Sequence, residues 1–431
     1  MAAERVLVGG WYGAGNLGDE MLLDLFIRWC REQGAEPTAI SIDAPATRRL
    51  HGIAAVDIFD LDGVLGAMRD ADLFALGGGG LLQTHHNFTL GALYDFTAAD
   101  IGSYVRPMLM ARQLGVPTLF WAQGLGPLEG DEPRAVVRDL LSWVGHASLR
   151  DDDSLALVRE LGCERAFPVA PDPAWAWPLP DTVARAPGGA RRIAIVPRSW
   201  DTAPAWSDHF LGALRHRLAP GEASIVWMVS QANAVPGRAS DDLDFIRSMM
   251  ERLGGEYEQS LQIHASPSDW ASTLAGCDAA IVMRMHAQVL ALRLGLPVLA
   301  IEYDPKMAVV SSDAGLKDAH RVSVGSPPEA WEHHLADWLS APAMAAASPS
   351  PAVAALASRA LVHRGVLHAA LAAAHPGRGT QPSWRSEGVD WIGAWRRAAL
   401  EAELARTRVR MAELSQRLGD AEAELARLRG P

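Results

Sequence analysis

Short apolar runs that end in glycine or a polar residue alternate with segments of helical period along the first 340 residues. This alternation is typical of parallel β-sheets covered by helices on both faces. It predicts strands at residues 5–8, 38–42, 73–76, 118–121 and 147–149 in the first half, and at 193–196, 225–229, 279–283 and 298–301 in the second. The fold class is therefore α/β.

A stretch rich in proline and glycine at residues 178–190 separates the two halves and predicts an interdomain linker. We expect one Rossmann-like domain over residues 1–178 and a second over 190–340, facing each other across a cleft. Ligands of such sheets bind outside the carboxyl ends of the strands. Residues 341–388 read as a helix, from Pro351 to about Ala374, followed by a linker.

The last segment, residues 389–431, has a heptad pattern interleaved with charged residues. It predicts a coiled-coil helix through which the chain forms a homo-oligomer, and the alternative is a single amphipathic helix folded on the body. The apolar positions of the heptads are Leu404, Met411, Leu414, Leu418, Ala421, Leu425 and Leu428.

Composition narrows the possible partners. With 49% hydrophobic and 21% charged residues the chain is globular, and a net charge of −12 argues against nucleic acid as its main partner. The three cysteines, Cys30, Cys163 and Cys277, form neither a disulfide framework nor a metal motif, which suits a reducing cytoplasm. No apolar run reaches the roughly 20 residues of a membrane span. We expect a cytoplasmic protein whose membrane contact, if it has one, is peripheral and at the inner face.

The loop after the first strand matches the dinucleotide pattern G-x-G-x-x-G at Gly13, Gly15 and Gly18. Asp19 and Glu20 follow at once, and two carboxylates at a helix N-terminus would repel a pyrophosphate. A ligand bearing hydroxyl groups suits the loop better, with Asp19 or Glu20 as the base that accepts a hydroxyl proton. The alternative is that both acids only cap the helix.

Two further small-residue segments follow predicted strands, at residues 77–83 and 123–127. They lack the lysine and hydroxyl residues of a P-loop, and they indicate a backbone that approaches a ligand or a neighbouring strand. His85 and His86 have no acidic or cysteine partner at ligand spacing, so we predict loop residues and no metal site. The acidic run at residues 151–153 is typical of a helix N-cap and first turn.

Basic residues cluster after the strands of the second half. Arg284 and His286 follow one strand and begin a helix, whereas Arg198 and Lys306 follow two others. All four emerge at the carboxyl edge of one predicted sheet, where a helix N-terminus also favours negative charge. The sequence therefore predicts an anion site with a titratable histidine beside it.

Taken in order, these motifs resemble the polysaccharide pyruvyl transferase family over residues 5–310. The resemblance implies a two-domain fold like that of GT-B glycosyltransferases. It also implies transfer of pyruvate from phosphoenolpyruvate onto a sugar as a ketal, with release of phosphate. The motifs that carry it are Gly13 to Glu20, Gly77 to Gln83, Gln123 to Pro127, Ser148 to Asp151, Asp172 to Ala174, Arg284 to His286 and Tyr303 to Lys306.

By that resemblance Arg198, Arg284 and Lys306 would bind the phosphate and carboxylate of phosphoenolpyruvate, and His286 would donate or relay the proton. The acceptor, a saccharide that is lipid-linked or free, would lie against the glycine loop with Asp19 or Glu20 as base. Neither a metal nor a nicotinamide cofactor is implied. Further expected substrate contacts are Asn16, Gly18, Gly79 and Gln123. The family's pattern differs here after Gln83, where Thr84, His85 and His86 stand.

Three other functions stay open at this point. A nucleotide-sugar glycosyltransferase of the same architecture would use Arg198 and Lys306 on a diphosphate. A nicotinamide oxidoreductase is disfavoured by the acids that follow Gly18. An inactive scaffold assembled through the heptad tail would not depend on His286.

Overall fold

The computed structural model describes residues 4–84, 93, 101–180, 191–200, 202–231, 242–340 and 349–374, and in the tail residues 397, 400, 401, 404, 405 and 407–418. Most of the predicted linker, His85, His86 and the heptad positions after Leu418 lie outside these residues. Within them the chain forms two parallel sheets, each covered by helices.

The first sheet has seven strands in the order β3-β2-β1-β4-β6-β5, and β7 pairs with β6. All of its strand pairs are parallel. Both β5 and β7 pair with the long strand β6, whose eight residues are all buried. The strands are β1 Arg5–Gly9, β2 Glu36–Ser41, β3 Ala54–Asp57, β4 Leu73–Leu76, β5 Gly79–Leu82, β6 Thr118–Leu125 and β7 His146–Leu149.

The second sheet has six parallel strands in the order β10-β9-β8-β11-β12-β13. With β8 counted as its first strand this is the doubly wound order 3-2-1-4-5-6, which places a ligand crevice where the order reverses, between β8 and β11. The strands are β8 Arg191–Val196, β9 Ala223–Met228, β10 Gln259–Gln262, β11 Ala279–Val282, β12 Val298–Glu302 and β13 Arg321–Ser323.

Helices connect the strands and bury apolar faces against both sheets. In the first domain they are α1 Leu17–Glu32, α2 Ala44–His51, α3 Leu61–Asp70, α4 Ile101–Leu114, α5 Asp131–Trp143 and α6 Asp152–Glu160, with a short 3-10 helix at Pro173–Ala176. In the second they are α7 Trp206–Arg217, α8 Asp242–Leu253, α9 Pro267–Ala275, α10 Met285–Arg293, α11 Pro305–Asp313 and α12 Pro328–Ser340, with a second 3-10 helix at Asp318–His320.

The chain then returns to the first domain. Helices α13 Pro351–Ala360 and α14 Val362–Ala374 stand where one helix is predicted, with a turn at Leu361 between them. Leu356, Leu367 and Leu371 bury their side chains in the same core cluster as Trp121 of β6. Indole Nε1 of Trp121 donates a hydrogen bond of 3.2 Å to the His363 carbonyl. The segment expected to lead to a linker therefore packs in a core cluster that includes residues of both domains, with α14 against β6 of the first.

All nine predicted strands are present, which confirms the α/β class. Four strands were not predicted: β3, β5, β10 and β13. Each lacks a contiguous run of large apolar residues. β3 and β10 are half-exposed, β13 has three residues, and β5 begins with two glycines, which have low strand propensity.

The described part of the tail is helical at each of its positions, and its apolar side chains are exposed. Leu404, Met411, Leu414 and Leu418 are each more than half exposed. These residues do not pack on the body, whereas their pairing with a second copy stays a prediction. Among the described helices, none is long and apolar enough to cross a bilayer.

Candidate functional site

The N-terminus of α1 forms one wall of the interface between the two domains. Asn16 caps the helix, since its Oδ1 accepts hydrogen bonds from the amides of Gly18 and Asp19 at 3.0 and 3.4 Å. The Leu17 amide donates to the carbonyl of Ser230, just beyond β9, at 2.8 Å. The glycine loop of the first domain is thus held against the carboxyl edge of the second sheet.

Glu20 does not face the cleft. Its side chain is 6% exposed, its Oε1 accepts the Gly13 amide at 2.9 Å, and its Oε2 lies 2.8 Å from Nε2 of His51. Both oxygens are already used beneath the loop, so Glu20 braces the turn that begins at Gly13. The expected role of Glu20 as an alternative base to Asp19 stays a prediction, and this placement does not favour it.

The glycines at residues 77–80 make room for other side chains of the protein. A Cβ on Gly77 would lie 1.8 Å from the hydroxyl of buried Tyr12, and one on Gly78 would touch Leu22 and Trp121 at 3.3 Å. Gly79 has a φ of +114°, and its Cβ position is 3.7 Å from Oδ1 of Asp19. We call residues 77–80 the glycine edge. Of the two expected bases, Asp19 is therefore the one that lies beside it.

Gln123, an expected substrate contact, lies beneath the glycine edge. Its side chain is completely buried, and its Nε2 donates to the carbonyls of Leu76, at 2.9 Å, and Gly77. The amide bridges β6 to the backbone between β4 and β5. Nε2 thus fixes the glycine edge from below, whereas Oε1 is buried and has no hydrogen-bond partner among the described residues, so a substrate contact of Gln123 stays a prediction.

Arg150, which follows β7, lies across this edge. A Cβ on Gly124 would be 2.5 Å from its Nη2, so the absence of a side chain at Gly124 makes room for the guanidinium. The guanidinium is 15% exposed and faces two carboxylates, Asp151 at 3.4 Å and Asp172 at 3.7 Å. Asp151 itself caps α6 through the Ser154 amide, as predicted.

Asp172 of the first domain and His286 of the second domain form an ion-pair contact across the interface. Asp172 precedes the 3-10 helix Pro173–Ala176 and caps it through the Ala174 amide, whereas His286 lies in the first turn of α10. Asp172 Oδ1 is 3.7 Å from His286 Nε2, which is an ion-pair distance. The other carboxylate oxygen, Oδ2, and His286 Nε2 are both buried and have no hydrogen-bond partner among the described residues. Unsatisfied buried polar atoms of this kind mark a place where a ligand atom would complete the bonding.

The surroundings of Asp172 favour its ionised form. Burial raises the pKa of this carboxyl, but His286, Arg150 and the Ala174 amide outweigh burial and lower the pKa to about 2. Asp172 is therefore a fixed negative charge facing the imidazole at any physiological pH.

Gly18 is required by His286. A Cβ at this position would lie 2.0 Å from the imidazole Nδ1, although the helical backbone of Gly18 would accept any residue. We expect Gly18→Ala to displace the ring and lower turnover by at least about tenfold, because a misplacement of 1 Å can cost about 10²-fold. Steady-state kinetics measures the effect.

The matched control is Gly66→Ala, which places alanine in α3, where nothing lies within 4 Å of the new methyl group. It should leave turnover unchanged and stabilise the helix slightly. Equal turnover in the Gly18 and Gly66 variants would show that the contact with His286 has no consequence.

At the carboxyl edge of the second sheet, cations surround an aromatic ring. Arg198 donates a hydrogen bond from Nη1 to the Tyr303 hydroxyl at 3.0 Å and lies 4.8 Å over the ring, and Lys306 Nζ is 5.8 Å from the same ring. The Trp200 ring contacts the Tyr303 ring with 4.6 Å between centroids, and the two ring planes are inclined at 59°. Lys306 also lies 3.3 Å from Asp304. We name Arg198, Trp200, Tyr303 and Lys306 the aromatic-cation cluster.

Arg284 lies at the same sheet edge but has its own carboxylate partner. Val196 and Val282 are register partners, so Arg198 and Arg284 each lie two residues beyond paired positions of β8 and β11. Nη2 of Arg284 donates to Asp242, which is 3% exposed and also accepts the Gln231 amide at 3.1 Å. β11 ends at Val282, before both Arg284 and His286, so strand alternation does not determine the directions of these two side chains. Arg284 pairs with Asp242, whereas His286 pairs with Asp172.

The N-terminus of α10 has no side-chain cap. Its first amides therefore point, with the positive end of the helix dipole, toward the space beside Arg284 and His286. Across the described ranges, no three His, Cys, Asp or Glu side chains are grouped so that they could hold a metal ion.

Arg150 and Asp172 were not predicted as site residues. Both stand in motifs that the sequence analysis named. The pattern of apolar residues between them does not predict that they lie close to each other or to His286. Arg150 directly follows β7, whereas Asp172 lies beyond α6, and only the motifs in which they stand could have pointed to them. Their meeting with His286 depends on how the two domains face each other.

Comparison with known proteins agrees with this architecture. The family model described as polysaccharide pyruvyl transferase matches residues 16–305. No curated protein matches the chain by sequence.

Among solved structures, a putative UDP-N-acetylglucosamine 2-epimerase from Listeria monocytogenes is 13% identical, with a TM-score of 0.55 over 84% of this chain and 95% of that one. The UDP-GlcNAc 2-epimerase from Neisseria meningitidis, bound to UDP-GlcNAc, is 10% identical, with a TM-score of 0.53 over 85% and 100%. At these identities the likeness concerns the two-domain fold, and it confirms the GT-B-like arrangement.

Proposed function

The chain belongs to the polysaccharide pyruvyl transferase family, and on that premise we propose that it forms a pyruvate ketal on a sugar of a cell-wall or surface polysaccharide, with phosphoenolpyruvate as donor. The Asp172–His286 pair carries the proposal, since it sets a titratable group between an anion-binding edge and a glycine edge. The acceptor is a saccharide, and a lipid-linked one would bring the protein to the inner face of a membrane.

The donor would bind at the carboxyl edge of the second sheet. Phosphoenolpyruvate carries a phosphate and a carboxylate, and guanidinium groups bind both well. Arg284, with the uncapped amides of α10, and the cations of the aromatic-cation cluster supply the positive groups. Asp242 holds the Arg284 guanidinium in place while leaving its Nε without a partner.

His286 would give the proton that starts the reaction. Addition of an acceptor hydroxyl to C2 of the enol phosphate requires a proton at C3, which becomes the methyl group of the ketal. The C2–O bond to phosphate then breaks, and the second hydroxyl adds to the oxocarbenium-like carbon. Of the two hydroxyl protons, one ends on the methyl carbon and the other on phosphate. Asp172 stabilises the protonated imidazole during this sequence.

The acceptor would lie against the first domain, with Asp19 as the base for a sugar hydroxyl. Asp19 lies beside Gly79, and Asn16 and Gly18 form the adjacent turn. Arg150 would contact the acceptor or the transferred carboxylate from the same wall, because its partly exposed side chain lies along the glycine edge and faces Asp172.

The test is incubation of the purified full chain with phosphoenolpyruvate and a panel of free and lipid-linked saccharides that carry unprotected 4- and 6-hydroxyls. Phosphate release that depends on the acceptor, with a product heavier by one pyruvate less one water, supports the proposal. The same assay with UDP- and GDP-sugars tests the nearest rival, a glycosyltransferase, for which the Trp200 and Tyr303 rings beside Arg198 offer aromatic surfaces for a base. Release of a nucleoside diphosphate would select that rival.

Removal of the Arg284 guanidinium should weaken donor binding without changing the chemistry. We expect Arg284→Ala to raise the Kd of phosphoenolpyruvate about 10- to 100-fold, since a hydrogen bond to a charged group contributes about 1.5–3 kcal/mol. Calorimetry measures the Kd. The alanine also leaves Asp242 buried without its partner, so the decisive variant combines it with Asp242→Asn. Donor affinity equal to wild type in this double variant would remove Arg284 from the donor site.

A further inference from the structure

Helices α13 and α14 form the C-terminal return segment, and a buried histidine of this segment supports the loop that carries Asp172. His363 belongs to α14, beyond residues 16–305 that match the family model, and its side chain is completely buried in the first domain. Its Nε2 lies 3.2 Å from the Ala170 carbonyl and 3.1 Å from the Pro171 carbonyl, and its Nδ1 lies 2.9 Å from Oγ of Ser148.

These partners determine the tautomer. Both atoms near Nε2 are carbonyl oxygens, which only accept, so Nε2 carries the proton and donates. Nδ1 then accepts from the Ser148 hydroxyl, which in turn accepts the Ala122 amide at 3.0 Å. Burial lowers the pKa of His363 and keeps the ring neutral, in agreement with this pattern. Every polar atom of the ring and of the Ser148 hydroxyl has a partner.

The chain of hydrogen bonds ends at two walls of the site. On one side it reaches the carbonyls of the two residues immediately before Asp172. On the other side it holds Ala122, whose φ of +52° is uncommon for a residue other than glycine, directly before Gln123 and the glycine edge. Strained backbone persists only where its surroundings fix it, and Ser148 with His363 supplies that fixation.

We propose that His363 is a positioning residue, which sets Asp172 against His286 and holds the Ala122 backbone through Ser148. The proposal rests on the function proposed above. Without the Nε2 donor, the Ala170 and Pro171 carbonyls are left unpaired in the core, and the loop relaxes away from α10. A buried polar group without a partner is costly enough to drive such a shift. The C-terminal return segment is then part of the active site, although it contacts no substrate.

The experiment compares three variants of the full chain. His363→Phe keeps a ring of similar size and removes both hydrogen bonds, whereas His363→Gln restores a donor near the Nε2 position. Leu367→Ala removes buried apolar volume from the same helix without removing a hydrogen bond, and it controls for lost stability. The measurements are kcat and KM for phosphoenolpyruvate, Tm, and hydrogen exchange at the Ala174 amide, which donates to Asp172.

For His363→Phe we expect kcat to fall by at least about tenfold with KM within about threefold, because misplacement of the pair affects the chemical step more than donor binding. His363→Gln should recover most of the loss. Exchange at Ala174 should be faster in the Phe variant than in Leu367→Ala at equal Tm. Unchanged kcat in the Phe variant, or an equal fall in Leu367→Ala, would overturn the proposal.

The exchange measurement separates this proposal from the proposed function. If wild-type protein releases no phosphate with any acceptor, the function is wrong, but faster exchange at Ala174 in His363→Phe still supports the positioning of Asp172. If phosphate is released and exchange at Ala174 is the same in all variants, the function stands and the role of His363 is wrong.

Discussion

Replacement of His286 by glutamine should abolish most of the turnover while leaving the donor bound. General acid–base catalysis by a positioned side chain contributes about 10²–10⁴-fold, and we expect kcat to fall within that range. The Kd of phosphoenolpyruvate should stay within about threefold, since the cations that would bind it are at Arg284 and in the aromatic-cation cluster. Single-turnover kinetics with calorimetry checks both quantities.

The control for this variant is His333→Gln, on α12 of the second domain. The His333 side chain is 70% exposed, and its Nε2 lies 3.5 Å from Asp337. It should retain wild-type kcat. If His286→Gln instead weakens donor binding and leaves kcat unchanged, His286 is a binding residue and the proton comes from another group.

The sequence predicted the architecture well because parallel strands buried on both faces are nearly continuous apolar runs. The same rule placed Arg198, Arg284 and Lys306 at one edge of the second sheet, and this edge is where the structure has them. Strand periodicity carries no information about which partner a polar side chain chooses. Arg284 pairs with Asp242, 42 residues earlier in the chain, and no local pattern predicts that pair.

The two acids after Gly18 illustrate the same limit. Asp19 and Glu20 are neighbours with the same chemistry, and the sequence offered no reason to separate them. The helix turns one residue by about 100° relative to the next, so that Glu20 points beneath the loop to His51 and Asp19 lies near Gly79. The partners that Glu20 takes there are the Gly13 amide and His51 of α2, and the His51 contact lies outside any motif.

Residues that act across the domain interface were the hardest to predict. Asp172 stands after the last strand of the first domain and His286 after the fourth strand of the second, so their contact requires the relative placement of both sheets. His363 is more distant still, because it belongs to a helix that the sequence assigned to a segment between the domains and the tail. Its role depends on α14 returning to the first domain.

Replacement of Asp172 by asparagine should lower turnover without unfolding the loop. Asparagine retains an oxygen that caps the 3-10 helix through the Ala174 amide, but it removes the charge that faces His286 and Arg150. We expect kcat to fall about 10²-fold. This is less than the roughly 10⁴-fold loss that follows when a carboxylate also sets the tautomer of a catalytic histidine. Asp60→Asn, which keeps the α3 cap through the Gly63 amide, is the matched control and should remain near wild type.

The same variant gives a stability result whose sign follows from the Asp172 pKa. The folded-state pKa is lowered from 3.8 to about 2, so the ionised carboxylate stabilises the fold fully above about pH 4, and this stabilisation is lost as the pH falls toward 2. The shift corresponds to about 2 kcal/mol. Urea unfolding should therefore show wild type gaining stability relative to Asp172→Asn between pH 2 and pH 4, with the difference levelling off by about pH 5. A difference that does not change between pH 2 and pH 5 would mean that Asp172 does not carry a charge held by His286 and Arg150, and the proposed stabilisation of the imidazolium would lose its basis.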